Sequence, residues 1–254
     1  MVGEREQGLQ RSAKDSMLTH MEVKQRVVFL PGHLCTARLW QAQIDAIGDD
    51  ARCQVMALYD ADNVAGLAKH VLDHAPDRFS LVGLSMGGYV AMEIMRQAPL
   101  RIERLALLNT SAGPEKPEAT AVRMADRQLA ADHGMAQLVR QLAPRWLAPI
   151  NANNAALIQV ITQMAEEVGV HHQKEQQKAN ISRPDSRRSL QAVACPSLIL
   201  CGRQDHLTPL SGHEEIAALI PNAHLEIIEQ CGHLSPLEQP TAVTKALLKW
   251  LTWY

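Results

Sequence analysis

The sequence is poor in aromatic residues and has no marked excess of charge. Its 254 residues include only four Trp, three Tyr and two Phe, and 25 basic against 27 acidic side chains give a net charge of −2. Nucleic-acid-binding surfaces depend on basic patches and on aromatic rings that stack on bases. The composition therefore argues against a nucleic-acid-binding protein.

Long apolar runs, paired cysteines and compact metal motifs are also missing. No window approaches the roughly 20 apolar residues of a membrane-spanning helix. The N-terminal segment MVGEREQGLQRSAKDS is too polar for a signal peptide. The five cysteines form no CxxC pair, and no HExxH motif occurs. We therefore expect a cytoplasmic protein without a membrane segment, disulfides, metal or cofactor, while the sequence does not indicate its oligomeric state.

Short apolar runs alternate with helical patterns through most of the chain. The predicted strands lie within 26–32, 52–60, 79–84, 101–111, 195–202 and 223–232. The predicted helices lie within 36–48, 64–75, 86–98, 210–220 and about 236–250. Such alternation predicts an α/β fold with a mostly parallel sheet and helices on both faces. Functional groups then lie at the carboxyl ends of the strands.

The alternation stops between residues 114 and 188, where only helical patterns occur. Apolar residues recur at helical spacing over 135–142 and 157–164. The segment HHQKEQQK (171–178) has the composition of a solvated helical face. We interpret the region as a helical lid inserted after the fourth strand. The chain then divides into an N-terminal arm (1–25), an α/β core (26–113 and 189–254) and the lid (114–188).

A G-x-S-x-G pattern occurs at Gly83-Leu84-Ser85-Met86-Gly87. Three fixed positions alone are weak, because chance produces them in about one chain of this length in ten. Here, however, the pattern begins at the end of an apolar strand and opens into a helix, which is the setting of a nucleophile elbow. The alternative is a glycine-rich turn with a capping serine. The placement favours Ser85 as a nucleophile.

An acid and a base follow Ser85 at similar places in the alternation. A serine nucleophile needs an adjacent base that a third group orients. Asp205 directly follows a predicted strand, and His233 lies in the loop after the last one. The order Ser, Asp, His is that of an elbow-type triad. Asp205 could instead close a turn with Thr208, and His233 could be an ordinary loop histidine, but those alternatives leave their shared placement unexplained.

The other polar positions receive more modest predictions. The loop after the first strand, residues 30–40, is expected to complete an oxyanion hole with the backbone N–H of Met86. His33 or Leu34 would supply the second N–H, with His33 favoured, and a plain connecting loop is the alternative. We expect surface or helix-capping roles for a further set of histidines: His171, His172, His206, His213 and His224.

Four segments together resemble the α/β-hydrolase superfamily, from about residue 26 onwards and least in the lid. They are FLPGHLCTARLW, LVGLSMGGYVA, LILCGRQDHLTP and IIEQCGHLSPLEQP. Pro31 replaces the histidine of the His-Gly-x sequence usual in similar small bacterial esterases. The second strand is followed by LYDADNVAGL rather than by G-x-G-x-S. A serine at the elbow is unlike the aspartate of haloalkane dehalogenases.

The resemblance implies a serine hydrolase that needs no cofactor and uses Ser85, Asp205 and His233. We expect a small carboxylic ester as the substrate. A lactone, or a C–C bond beta to a carbonyl, is the alternative within enzymes, and a ligand receptor or interaction module is the alternative outside them. Five apolar residues are candidates for the substrate pocket: Leu34, Leu138, Leu142, Trp146 and Met164.

Overall fold

A computed structural model describes residues 24–59 and 61–253 of the chain. Its sheet has six strands: β1 (Gln25–Leu30), β2 (Ala51–Val55), β3 (Phe79–Leu84), β4 (Ile102–Leu108), β5 (Ser197–Gly202) and β6 (Ala223–Ile228). They lie in the order β2-β1-β3-β4-β5-β6, and every pairing is parallel. The predicted parallel sheet is confirmed. Gln25 already belongs to β1, and the rest of the predicted N-terminal arm, apart from Lys24, lies outside the described residues.

Nine α-helices connect or follow these strands in the described part of the chain. They are α1 (Gln41–Ile47), α2 (Val64–His74), α3 (Met86–Gln97), α4 (Pro117–Trp146), α5 (Ala155–Ile181), α6 (Arg187–Leu190), α7 (Leu210–Leu219), α8 (Ser235–Glu238) and α9 (Pro240–Leu251). Within the same ranges, no helix has the length and apolarity needed to cross a membrane. A cytoplasmic location stays a prediction.

Helices cover both faces of the sheet because its strands are apolar on both sides. Successive side chains of a strand point to opposite faces. Val27 and Phe29 therefore enter one core together with residues of α1, α9 and the first part of α5. Val28 and Leu30 enter the other core, with residues of α2, α3 and α7. Both cores support the strand ends from which the functional side chains project.

Residues 109–196, which we call the insertion, lie between β4 and β5 and contain α4, α5 and α6. Both long helices are interrupted by a glycine with positive φ, Gly134 (φ 79°) in α4 and Gly169 (φ 71°) in α5. Only glycine adopts such backbone angles readily. Each helix therefore consists of two shorter segments. The division of the chain at residues 114 and 188 stays a prediction.

The part of α5 after Gly169 differs from its sequence interpretation. Four amides on one face are each no more than 1% exposed: Gln173, Gln176, Gln177 and Asn180. We call this set the amide face. The sequence analysis predicted a solvated helical face over residues 171–178. That prediction is wrong for the amide face, which is buried. Polar composition suggested solvent, whereas contacts of Gln176 with Leu34 and Leu58, and of Gln177 with Arg123, place these amides inside the protein.

Candidate active site

Ser85 occupies a strained turn between β3 and α3. Its backbone has φ 53° and ψ −113°, an arrangement that is costly for a residue with a side chain. Neighbouring glycines allow this tight connection, because a Cβ on Gly83 would overlap the backbone of Gly87, and one on Gly87 would overlap the backbone of Leu30. The turn presents the Ser85 hydroxyl at the carboxyl end of the sheet and at the N-terminus of α3.

The structure brings Ser85, His233 and Asp205 into one hydrogen-bonded chain. The distance from Ser85 Oγ to His233 Nε2 is 2.9 Å, and His233 Nδ1 lies 2.9 Å from Asp205 Oδ2. A carboxylate only accepts hydrogen bonds, so Nδ1 carries the proton and Nε2 is free to accept the serine proton. His233 is 6% exposed and Asp205 is 3% exposed. The arrangement can therefore activate the serine hydroxyl.

Asp205 is held ionised by the donors around it. Besides His233, its carboxylate accepts hydrogen bonds from the Thr208 hydroxyl at 2.6 Å, from Asn109 Nδ2 at 2.9 Å, and from the backbone N–H groups of Leu207 and Thr208. Burial by itself raises the pKa of Asp205, but its interaction with the His233 imidazole and these hydrogen bonds outweigh burial and hold the pKa well below its ordinary value. A fixed negative charge therefore faces Nδ1 of the histidine.

Asn109 is a supporting residue that the sequence analysis missed. It follows β4 directly, has a φ of 45° and is fully buried. Its Nδ2 group donates to Asp205 and to the backbone oxygen of Gly232, while its Oδ1 accepts a 2.6 Å hydrogen bond from Ser235. Asn109 thus connects the acid with the loop that carries His233. A polar residue immediately after the buried strand LALL was the available signal.

The loop after β1 lies directly against the serine. A Cβ on Gly32 would stand 3.5 Å from that of Ser85. The backbone N–H of Leu34 donates to Gln176 Oε1 at 3.0 Å, so this candidate for the oxyanion hole is already occupied. For the backbone N–H groups of His33 and Met86, the described part of the chain offers no hydrogen-bond acceptor. This observation favours His33 over Leu34 as the partner of Met86.

The side chain of His33 also contacts the amide face. Its Nδ1 lies 3.0 Å from Gln176 Oε1. Because Oε1 already accepts the N–H of Leu34, Gln176 presents an oxygen here, and His33 Nδ1 must carry the proton. Burial and the charge of Arg123 lower the pKa of His33 to about 3, against the opposing effect of the Gln176 hydrogen bond. His33 is therefore neutral at physiological pH, with a bare Nε2.

The loop that carries His233 is joined to the end of α4. The His233 N–H donates to the backbone oxygen of Trp146 at 2.6 Å. Glu238 Oε1 accepts from the N–H groups of Gly232 and Leu234, and Oε2 accepts from the N–H of Ala148 and from Asn151. Burial raises the pKa of Glu238 although these hydrogen bonds oppose the change. Glu238 thus connects the insertion with the histidine loop.

The five apolar candidates for a substrate pocket all lie in one packed core. Leu34, Leu138 and Met164 have no exposed surface, while Leu142 and Trp146 are 3% and 7% exposed. Packing explains their burial without any ligand, so their contact with substrate stays a prediction.

One of the expectations for the other histidines is wrong. His213, for which a surface or capping role was predicted, is buried, and its Nε2 accepts the backbone N–H of Thr110.

A parallel sheet with a serine elbow and a serine–histidine–aspartate chain at its carboxyl edge defines a class of hydrolytic folds. Comparison with known proteins agrees. The sequence matches the alpha/beta hydrolase family over residues 27–246. The chain therefore belongs to the alpha/beta hydrolase family, and hydrolysis is its class of reaction.

Three relatives illustrate the range of this similarity. The chain is 25% identical over 230 residues to 3-oxoadipate enol-lactonase 2 of Acinetobacter baylyi, with 82% of each chain covered. It is 30% identical over 189 residues to a Caulobacter protein provisionally named carbamate hydrolase RutD, covering 69% of this chain and 66% of that protein. A thermophilic esterase from Thermogutta terrifontis superposes with a TM-score of 0.80 at 28% identity, with 89% of each chain covered.

Proposed function

We propose that the protein is a carboxylesterase that cleaves a small carboxylic ester through an acyl-enzyme on Ser85. The observation that carries this proposal is the pair of 2.9 Å hydrogen bonds from Ser85 through His233 to Asp205. These bonds give a weakly nucleophilic hydroxyl both a base and an oriented partner for that base. The elbow presents the hydroxyl at the carboxyl end of the sheet and at the N-terminus of α3, which supports its assignment as the nucleophile.

In the first half of the proposed reaction, Ser85 Oγ attacks the ester carbonyl while His233 Nε2 takes its proton. The resulting oxyanion accepts hydrogen bonds from the backbone N–H groups of Met86 and His33, each worth about 3 kcal/mol in the transition state. The negative charge of Asp205 stabilises the imidazolium that forms. His233 then gives the proton to the departing alkoxide, and the alcohol leaves.

The second half repeats these steps with water. His233 removes a proton from water as its oxygen attacks the acyl-enzyme carbonyl, and the same two N–H groups stabilise the second oxyanion. Return of the proton to Ser85 Oγ releases the carboxylic acid. No metal or cofactor takes part in this scheme.

A lactone is the second candidate substrate, because one of the relatives is named an enol-lactonase. A lactone is a cyclic ester, so the same attack opens the ring, and the alcohol remains attached to the acyl group. Both candidates use the same side chains. They differ in the shape of the substrate that must fit beside Ser85.

The test is hydrolysis of p-nitrophenyl acetate, butyrate and octanoate by the wild type and by Ser85→Ala. We expect turnover by the wild type and a loss of at least a thousandfold in the variant, since no other group supplies the nucleophile. The variant should keep the melting temperature of the wild type within a few degrees. Equal rates from the two proteins would contradict the ester proposal.

The same two proteins separate the remaining candidates. Ring opening of a set of small lactones, followed by pH-stat titration, measures lactonase activity. Cleavage of a β-diketone into two carbon fragments measures C–C hydrolysis. Tight ligand binding by calorimetry with no turnover of any of these compounds would indicate a receptor.

A further inference from the structure

Gln173 in the amide face is a buried amide that lacks a hydrogen-bonding partner. Its side chain is 1% exposed, and neither Oε1 nor Nε2 meets a donor or acceptor in the described part of the chain. Burying an unpaired polar group costs about 1–3 kcal/mol, and native proteins rarely accept that cost without compensation. Gln173 therefore requires a compensating partner or a function.

The two glutamines next in line on the same face both form hydrogen bonds within the protein. Gln176 Oε1 accepts from Leu34 and His33, and its Nε2 donates to the backbone oxygen of Leu58 at 3.3 Å. Gln177 Oε1 accepts a 3.0 Å hydrogen bond from Arg123. Both amides therefore have a structural purpose. Gln173 is buried on the same face without one.

Gln173 is a neighbour on the helix of Gln176, which contacts the loop after β1. It precedes Gln176 by three residues, and side chains at this spacing are neighbours on one helical face, with Cβ atoms about 5–6 Å apart. Gln176 in turn bonds the loop of His33, which abuts Ser85. The unpaired amide of Gln173 is thus about one helical turn from Gln176, which contacts the loop of His33.

A second unpaired group lies on that loop. His33 Nε2 has no contact with solvent and no partner among the described residues. Because Nδ1 carries the proton, Nε2 can only accept a hydrogen bond. Gln173 can both donate and accept. The two residues together therefore match a ligand group that donates one hydrogen bond and accepts another.

A hydroxyl group has this combination of properties. A methyl group of the same size can form neither hydrogen bond, and a carboxylate has no proton to donate to Nε2. We propose that Gln173 and His33 bind a hydroxyl group of the substrate, so that the protein prefers hydroxylated esters to alkyl esters of the same shape. This inference rests on the proposed esterase function.

The test uses two pairs of esters in which a hydroxyl replaces a methyl group. The first pair is 2-hydroxyethyl butyrate and propyl butyrate, which changes the alcohol part. The second is methyl 3-hydroxybutyrate and methyl 3-methylbutyrate, which changes the acyl part. We expect the wild type to prefer the hydroxylated member of at least one pair by tenfold or more in kcat/KM, because a site that bonds a hydroxyl disfavours the analogue without it.

The variant Gln173→Met replaces the amide with an apolar side chain of similar length. We expect it to reduce the preference to less than twofold, mainly through the rate on the hydroxylated ester. Gln163→Met is the matched control, because Gln163 lies on the exposed face of the same helix. The control should keep the full preference.

Three outcomes separate the two proposals. Absence of hydrolysis of all four esters and of p-nitrophenyl esters would contradict the esterase function itself. Hydrolysis of all four with no preference in either pair would overturn only the hydroxyl site. A preference that Gln173→Met leaves intact would also overturn it, because an internal water, and not the substrate, would then satisfy the amide.

Discussion

The two parts of α5 each bury one face with the same helical spacing but with opposite chemistry. Before Gly169, the buried residues are apolar: Ile161, Met164, Ala165 and Val168. After Gly169, the buried amides follow the same i, i+3, i+4, i+7 spacing: Gln173, Gln176, Gln177 and Asn180. The first part packs into a core, whereas Gln176 in the second contacts the loop after β1. Helical spacing alone therefore identifies which residues share a face, but it does not indicate whether that face packs against apolar or polar groups.

The largest expected effect of a change in α5 is on its apolar part. Replacing Met164 by Ala removes a fully buried side chain, and we expect a loss of about 2–5 kcal/mol in the free energy of unfolding. Urea denaturation measures this loss. Gln163→Ala on the exposed face should change stability by less than about 0.5 kcal/mol. A small loss for Met164→Ala combined with a raised KM would instead support its predicted place in a substrate pocket.

A smaller effect is expected at the boundary between the two parts. Gly169 has φ 71° and ψ 168°, a region nearly restricted to glycine, so Gly169→Ala should cost about 1–3 kcal/mol. The open space around its Cβ position means that this cost comes from the backbone alone.

Gly212 provides the control for this substitution. It lies within α7, also has open space around its Cβ position, and lacks a positive φ. Thermal unfolding of Gly212→Ala should show an unchanged or raised stability. Equal effects at both glycines would mean that the interruption of α5 is not fixed by backbone strain.

The smallest effect on stability is expected at Gln173 in the amide face. Gln173→Met removes two unpaired buried polar atoms, so stability should stay within about 1 kcal/mol of the wild type or rise. Gln176→Met is the contrast, because it leaves the N–H of Leu34 and the backbone oxygen of Leu58 without partners. Denaturant titration of both variants measures the difference. A large loss for Gln173→Met would show that its amide has a structural role.

The sequence was sufficient to predict the sheet and the three residues that meet at its edge. Ser85, Asp205 and His233 each follow a strand, and a parallel sheet brings strand ends together whatever the details of packing. The prediction was therefore based on connectivity, which survives small errors in the bounds of each element.

The supporting residues could not be predicted in the same way. Gln176 and Asn109 act through contacts with distant parts of the chain, and their burial depends on how the insertion packs on the sheet. The glutamine-rich segment 171–178, considered without the rest of the structure, has the composition of a surface helix. A turn with Thr208 was the alternative role for Asp205, and the contact of Thr208 with His233 Nδ1 required the tertiary structure.

The carboxylate of Glu238 has a consequence for motion in the molecule. Three hydrogen bonds join the end of α4 to the histidine loop: those from Ala148 and Asn151 to Glu238, and the one from His233 to Trp146. An outward swing of this end would either break these three bonds or carry the histidine loop and its imidazole away from Ser85. If the substrate entered through an opening here, the histidine loop would lose its support or move away from Ser85 as the substrate arrived. Substrate entry that keeps the imidazole in place therefore requires an opening on a different side of the insertion.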